Sequence, residues 1–289
     1  VASEDAVSLH VATRIEEARR HVNDARQRGL VIGLVPTMGA LHEGHMSLIR
    51  AARRECGHVA VSIFVNPTQF GPNEDFARYP RPFDKDVAIC EAEGVDLVFA
   101  PDAAAMYPPN FRTVVEVQQL QDRLCGASRP GHFRGVATVV LKLFNIVQAD
   151  VAYFGQKDAQ QALLIQQMVR DLDVPIRLRI CPIVREPDGL ALSSRNRYLD
   201  ATQRRAATIL SRTLREARAL IERGERDAEL VKRQLTAPIQ ATPGAVLDYA
   251  EVVNAETLQP LTKITGAVLL AVAARFGQTR LIDNEMISI

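Results

Sequence analysis

An excess of charge of either sign is the first thing this 289-residue sequence lacks: 35 basic side chains face 34 acidic ones, for a formal net charge of +1. That balance argues against a general nucleic-acid or membrane-surface binder, which needs a basic excess to meet phosphates. It leaves room for a small anion held by a few local charges. Paired cysteines are missing too. Cys56, Cys90, Cys125 and Cys181 lie far apart and form no CxxC, which argues against a zinc or redox site and for reduced thiols in a cytoplasmic protein. No apolar run reaches the roughly 18 residues that span a bilayer. The nearest, Val136 to Val147, is interrupted by Lys142. The first residues include Glu4 and Asp5 and offer no apolar stretch of the secretory kind, so no signal and no membrane anchor are expected.

What is present suits a globular protein. Hydrophobic residues make up 47% and charged residues 24%, enough for a buried core and a solvated surface. Val11, Ile15, Ala18, Val22 and Ala25 recur at helical spacing, and Gly29 stops the run. Leu30 to Val35, bounded by Pro36, reads as a buried strand, and Val59 to Val65 as a second. Neither shows polar alternation, as expected of strands covered on both faces. Asp96 to Ala100, Val151 to Phe154 and Ile176 to Val184 follow as strands, separated by helical stretches. The pattern predicts an α/β fold with a Rossmann-like, doubly wound parallel sheet over residues 1–185.

The character changes after Arg185 to Gly189. Asp200 with Gln203 forms a capping box that opens a long basic helix ending near Gly224, and another helix follows Asp227. Val246 to Val253, Val268 to Ala273 and Thr279 to Ile282 are β-rich. Residues 186–289 are therefore expected to form a smaller α+β domain, hinged near 185–190.

The most informative string is Val35-Pro36-Thr37-Met38-Gly39-Ala40-Leu41-His42-Glu43-Gly44-His45, between the first of these strands and the helical pattern Met46, Leu48, Ile49 and Ala52. In a doubly wound sheet, ligands sit at such a junction. Unpaired N–H groups and the helix dipole favour phosphate there, and Gly39 and Gly44 let the backbone approach a nucleotide. His42 and His45 are three apart, so on one helical turn both imidazoles face the same side and can donate to phosphate oxygens. Two structural histidines, or a zinc pair, are the competing readings. A zinc pair lacks a third ligand, so no metal site is assigned.

With this lead-in, HEGH resembles the HIGH motif of the nucleotidyl-transferase superfamily, shared with class I aminoacyl-tRNA synthetases. That superfamily carries a KMSKS-like loop, and Leu190-Ala191-Leu192-Ser193-Ser194-Arg195-Asn196 occupies its place here. Hydroxyls and a guanidinium suit a loop that closes on phosphates. VPTMGALHEGH, SIFVNPTQF, ARYPR, RPGHFRGV, FGQKDAQQ, GLALSSRNRYL and RLIDN occur in the order and spacing of the pantothenate synthetases, a family the chain resembles from about residue 30 onward.

The resemblance implies an ATP-dependent condensation of pantoate with β-alanine through a pantoyl-adenylate, giving pantothenate, AMP and pyrophosphate. It implies Mg²⁺ bound with ATP, a homodimer, and a C-terminal domain that acts as a lid over the adenylate. The nucleotide is expected along Met38, Gly39, Ala40, Leu41, His42, Glu43, Gly44 and His45. His45 takes the active-site position at the α-phosphate, and His42 holds the phosphate chain. Gly155, Gln156, Lys157 and Asp158 form a second nucleotide contact. At an effective dielectric near 20, an ammonium such as that of Lys157 about 4 Å from a phosphate charge gains about 4 kcal/mol before desolvation. Val184 is expected at the adenine end, and Leu192, Ser193, Ser194 and Arg195 over the phosphates. Gln69 and Gln161 match the pantoate-binding glutamines, with Gln69 also against β-alanine. Arg129 and His132 are assigned to support of the site or to the dimer interface.

The chain departs from the family at three places. Cys125 stands where relatives commonly have glutamate, Gln156 replaces an acid, and Ala159 replaces an aromatic residue. Two alternatives share the HxGH string: another nucleotidyl transferase acting on a phosphorylated substrate, and a nucleotide-binding regulator without catalysis.

Overall fold

The computed structural model describes residues 9–72 and 74–289, so Glu4 and Asp5 lie outside the described residues. Contacts divide the chain into two compact units. The first takes the chain up to Val117 together with Gly131–Gly155 and Leu164–Cys181. The second takes Gln118–Pro130, Gln156–Leu163 and Pro182–Ile289. The expected boundary near residue 185 lies close to the last of these crossings, while two short upstream segments group with the second unit.

The first unit is a six-stranded, wholly parallel sheet. Its strands are β1 (His10–Ala12), β2 (Ile32–Thr37), β3 (His58–Ile63), β4 (Leu97–Phe99), β5 (Val151–Gly155) and β6 (Arg177–Cys181), in the order β1-β4-β3-β2-β5-β6. The chain winds from β2 outward through β3 to β4, then returns to β5 beside β2. The reversal between β2 and β5 is the switch point of a doubly wound sheet. Helices α1 (Ile15–Gln27), α2 (Glu43–Glu55), α3 (Phe83–Ala92) and α4 (Ala103–Met106) belong to this unit. Leu48, Ile49 and Ala52 of α2 pack into a core with Val35, Val59, Val61, Val98 and Tyr153. After α5 (Cys125–Ser128) in the second unit, α6 (His132–Val147) returns to the first, and α7 (Ala159–Asp171) runs from one grouping into the other.

Three local expectations are corrected. Val11 is not the first residue of a helical stripe but part of β1, which pairs with β4 at the sheet edge, and α1 begins only at Ile15. Strand β2 continues through Pro36 to Thr37. Proline is tolerated there because β5 pairs β2 only at Gly33 and Leu34, so beyond Leu34 no ladder bond on that side is lost. The single long helix after Asp200 is two helices, α8 (Ala201–Ala207) and α9 (Ile209–Glu222), separated at Thr208. The capping box itself forms as expected. Asp200 Oδ1 accepts from Thr202 and Gln203 N–H at 2.8 Å each, and Gln203 Oε1 accepts from Asp200 N–H at 3.2 Å.

The second unit continues with α10 (Ala228–Gln240), capped by Asp227, and an antiparallel meander of β7 (Ala245–Asn254), β8 (Ala267–Phe276) and β9 (Thr279–Ser288). Leu210, Leu214 and Ile221 of α9 and Val231, Leu235 and Ile239 of α10 share a core with Val268, Leu270, Val272 and Phe276 of β8. Burying a leucine or isoleucine of this kind is worth roughly 1.5–3 kcal/mol. Among the described residues no helix is long and apolar enough to cross a membrane.

Candidate active site

The turn after β2 is held by an acid buried in α3. Asp86, only 1% exposed, accepts from Ala40 N–H at 2.7 Å and from Leu41 N–H at 2.8 Å. Those bonds sustain a left-handed Ala40 (φ 52), a conformation that a non-glycine residue adopts only when its surroundings enforce it. Gly39 is required beside it. At φ +78, a Cβ there would sit 2.9 Å from Asp86 Oδ2 and 3.1 Å from the Ile63 methyl.

His42 is the N-cap of α2 rather than a residue within it, so the two imidazoles do not share a helical turn as the spacing suggested. They still come together, with ring centroids 4.1 Å apart. His42 Nδ1 accepts from Gly44 N–H at 3.1 Å, and His45 Nδ1 accepts from His42 N–H at 3.3 Å. An Nδ1 that accepts cannot carry the proton of a neutral imidazole, so both rings are fixed as Nε2–H tautomers. The arrangement thus sets two Nε2–H donors at the positive end of a 13-residue helix.

Gln69 is placed by the short 3₁₀ turn Pro67–Gln69 and is buried. Asn66, 1% exposed, donates through Nδ2 to Gln69 Oε1 at 3.0 Å and to Gly135 O at 3.1 Å. Asn66 Oδ1 accepts from the Thr68 and Tyr107 hydroxyls at 2.9 Å each. With Oε1 so occupied, the Gln69 amide turns its Nε2 toward Met38 Sδ, 3.2 Å away. His132 Nδ1 donates to Gln69 O at 2.8 Å, so His132 carries its neutral-state proton on the opposite nitrogen from His42 and His45. Met38, Gln69 and His132, from three separate strings, therefore come together in the first unit.

In the second unit, Gln156–Asp158 form a 3₁₀ turn that leads into α7, and Gly155 ends β5 just before it. Lys157 Nζ lies 3.6 Å from the Asp158 carboxylate. Gln161 is half-buried in the first turn of α7. Its neighbour Gln160 is buried, accepting from Cys125 N–H at 3.0 Å and donating to Leu120 O at 2.8 Å. Leu192 N–H donates to Val184 O at 3.0 Å, so the expected adenine contact and the start of the serine loop are paired across a tight hairpin. Ser193 caps the 3₁₀ turn Ser194–Tyr198, accepting from Arg195 N–H at 3.2 Å. Arg129, half-buried, ends the short α5.

Cys125, expected from the resemblance to stand in place of an acid, is buried. Its Sγ lies 3.1 Å from the Tyr249 hydroxyl and 3.5 Å from both terminal nitrogens of Arg280. Burial pushes the Tyr249 phenol well above its ordinary range.

Nothing in the sequence alone assigns a role to Asn66, Asp86, Asp283 or Asn284. Asn284, 3% exposed, donates through Nδ2 to Gln156 O at 3.0 Å and to Lys157 O at 2.9 Å. Asp283, 2% exposed, takes a two-pronged bond from Arg185 at 2.7 and 3.0 Å. Burial lifts the Asp283 carboxyl above the usual carboxylate range, and Arg185 pulls it back. The available signal was the RLIDN string, where two polar residues in succession interrupt a strand otherwise free to alternate.

The model of the pantoate-beta-alanine ligase family matches residues 10–286. The pantothenate synthetase of Moorella thermoacetica is 59% identical over 281 residues, covering 97% of this chain and 99% of the relative. That of Acetivibrio thermocellus is 52% identical, covering 97% and 100%. The crystal structure of pantothenate synthetase from Thermus thermophilus superposes with a TM-score of 0.89 at 45% identity, covering 96% of this chain and 99% of that one. The pantoate-beta-alanine ligase of Francisella tularensis, crystallised with beta-gamma ATP and beta-alanine, gives 0.78 at 36% identity, covering 96% and 98%. With nearly its whole length matched, this chain belongs to the pantoate–β-alanine ligase family.

Proposed function

We propose that this chain joins pantoate to β-alanine using ATP, releasing AMP and pyrophosphate through a pantoyl-adenylate. Family membership supports the overall reaction. The observation that carries the residue assignment is the start of α2, where two neighbouring imidazoles, tilted 40° to one another, have their Nδ1 atoms committed to backbone N–H groups. Such rings donate and do not accept, which suits anionic oxygens.

In the first step, a pantoate carboxylate oxygen attacks the α-phosphorus of ATP in line, and the bond to pyrophosphate breaks. His45 Nε2–H stabilises the charge that grows on the α-phosphate oxygens, and His42 Nε2–H holds the phosphate chain. Met38 to Gly44 supply the backbone against the nucleotide, and Gly155 to Asp158 a second contact, with Lys157 on the β- and γ-phosphates. Val184 meets the adenine end, and Leu192 to Arg195 cover the phosphates. Gln69 and Gln161 orient pantoate, each offering both a donor and an acceptor to its hydroxyls and carboxylate. In the second step, the β-alanine amine attacks the acyl carbon of the mixed anhydride. The bond to AMP breaks, and the amine proton passes to solvent. No enzyme nucleophile is needed, so catalysis rests on positioning and electrostatics.

Mg²⁺ would be bound with ATP. Among the described residues no three His, Cys, Asp or Glu side chains converge on a metal position. The ion would keep phosphate and water oxygens, the ligands Mg²⁺ prefers, and would neutralise triphosphate charge when bound. A homodimeric state and a cytoplasmic location complete the proposal. The second is supported by four unpaired cysteines.

The test is reaction order. Labelled pyrophosphate should exchange into ATP when pantoate and Mg²⁺ are present, with no requirement for β-alanine. ADP as the product, or exchange that needs β-alanine, would overturn the adenylate route.

A further inference from the structure

Successive side chains on a strand point to opposite faces, so adjacent buried polar residues reach two different neighbours. Asp283 lies on the same face of β9 as the core residues Leu281 and Ile287. There its carboxylate takes both terminal nitrogens of Arg185, one of which also donates to Gly189 O at 3.1 Å. Arg185 opens the hairpin in which Val184 O and Leu192 N–H are paired. Asn284 faces the other way and is buried because the Gln156–Lys157 main chain covers it, both carbonyls accepting from its one amide nitrogen. Its own N–H donates to Asp283 Oδ1 at 2.8 Å, joining the two contacts. Two residues of one strand thus bind the segment that carries Lys157 and the segment that carries the serine loop.

We infer that Asp283 and Asn284 are positioning residues for ATP, fixing the Lys157 turn and the Val184–Leu192 hairpin at a set spacing through β9. The inference rests on the reading that Lys157 addresses ATP phosphates and assigns the RLIDN string a role in nucleotide use. Asparagine suits the position because it gives two N–H donors to two carbonyls. An isosteric aspartate would set oxygen against oxygen.

Pantoate-dependent pyrophosphate exchange in the full chain tests this, with thermal unfolding followed in parallel. Asn284→Ala should lower kcat/KM for ATP by about 10²-fold, the scale of a misplaced catalytic group, while the KM for pantoate stays within about twofold. Asn284→Asp should lose at least as much, and Asn284→Ser should recover part of the ATP term by keeping one donor. Lys157→Ala supplies the decisive background. If Asn284 acts through Lys157, adding Asn284→Ala to Lys157→Ala should cost less than about threefold more. Full additivity, equal losses for both substrates, or variants that all fail to fold would overturn the positioning role. Should Lys157→Ala alone leave exchange intact, the phosphate assignment of Lys157 fails first and the inference with it, a result distinct from additivity.

Discussion

At the scale of single residues, the chemistry follows from which atoms are already engaged. His45 has Nδ1 bonded to the backbone, so Nε2–H is the donor that can meet growing charge. His45→Ala should reduce single-turnover adenylate formation by about 10²–10³-fold, the range for losing one such donor. The fold should persist, because alanine is favoured in the first turn of a helix. A near-normal rate in the folded variant would sink the assignment. Cys125 gives the opposite expectation. Its sulfur lies against Tyr249 and Arg280, with no imidazole base among those contacts. Cys125→Ser keeps a group that can accept from Arg280, so it should retain most activity. Loss of turnover at unchanged thermal stability would count against this. The sequence makes His42 and His45 stand out by their place at a strand-to-helix junction, whereas Lys157, Gln69 and Gln161 stand out only through the family resemblance. It left Asp86 and Asn66 silent, since an acid that bonds backbone N–H groups 45 and 46 positions away carries no local pattern.

At the scale of elements, local signals were read well where they were chemical and less well where neighbours decide. The capping box at Asp200 and the cap at Asp227 could be found because the bonds are made within three residues. Strand β1 could not, because three residues pair only when β4 lies alongside. Likewise, Pro36 stays in a strand only because β5 diverges from β2. Helix α6 shows an element placed by one missing atom. A Cβ on Gly135 would lie 2.5 Å from Thr68 O and 2.7 Å from Gln69 N, both backbone atoms that cannot swing aside. Gly135→Ala should therefore force α6 off the turn bearing Gln69. Overpacking of this kind costs about 1–3 kcal/mol, and pantoate use should fall with it. Calorimetry together with the KM for pantoate checks both effects, and an unchanged melting temperature would refute the close contact.

At the scale of the whole molecule, stability should depend on acid through a histidine far in sequence from the HxGH string. His58 is 1% exposed, lies 5.1 Å from the His21 ring, and has its Nδ1 3.9 Å from the Asp96 carboxylate. Burial pushes it down to about 4, with Asp96 opposing. An unfolded histidine titrates near 6.5, so on acidification the unfolded chain takes the proton first. Stability is thus full above about pH 6.5 and falls as the pH drops toward 4, by on the order of 2 kcal/mol. His58→Phe should flatten that part of the profile, and an unaltered slope in denaturant titrations between those pH values would refute the assignment.

The bond from Asn284 to Lys157 O joins residues 127 positions apart. A ribosome adding roughly 5–20 residues each second delivers the Lys157 turn many seconds before the strand that anchors it. The parallel sheet can close during that interval, because its six strands end at Cys181. A nascent chain halted between Cys181 and Asp283 would then carry a finished sheet with Lys157 still unanchored. The bond that anchors the Lys157 turn therefore forms only after β9 has been made, long after the strands of the parallel sheet.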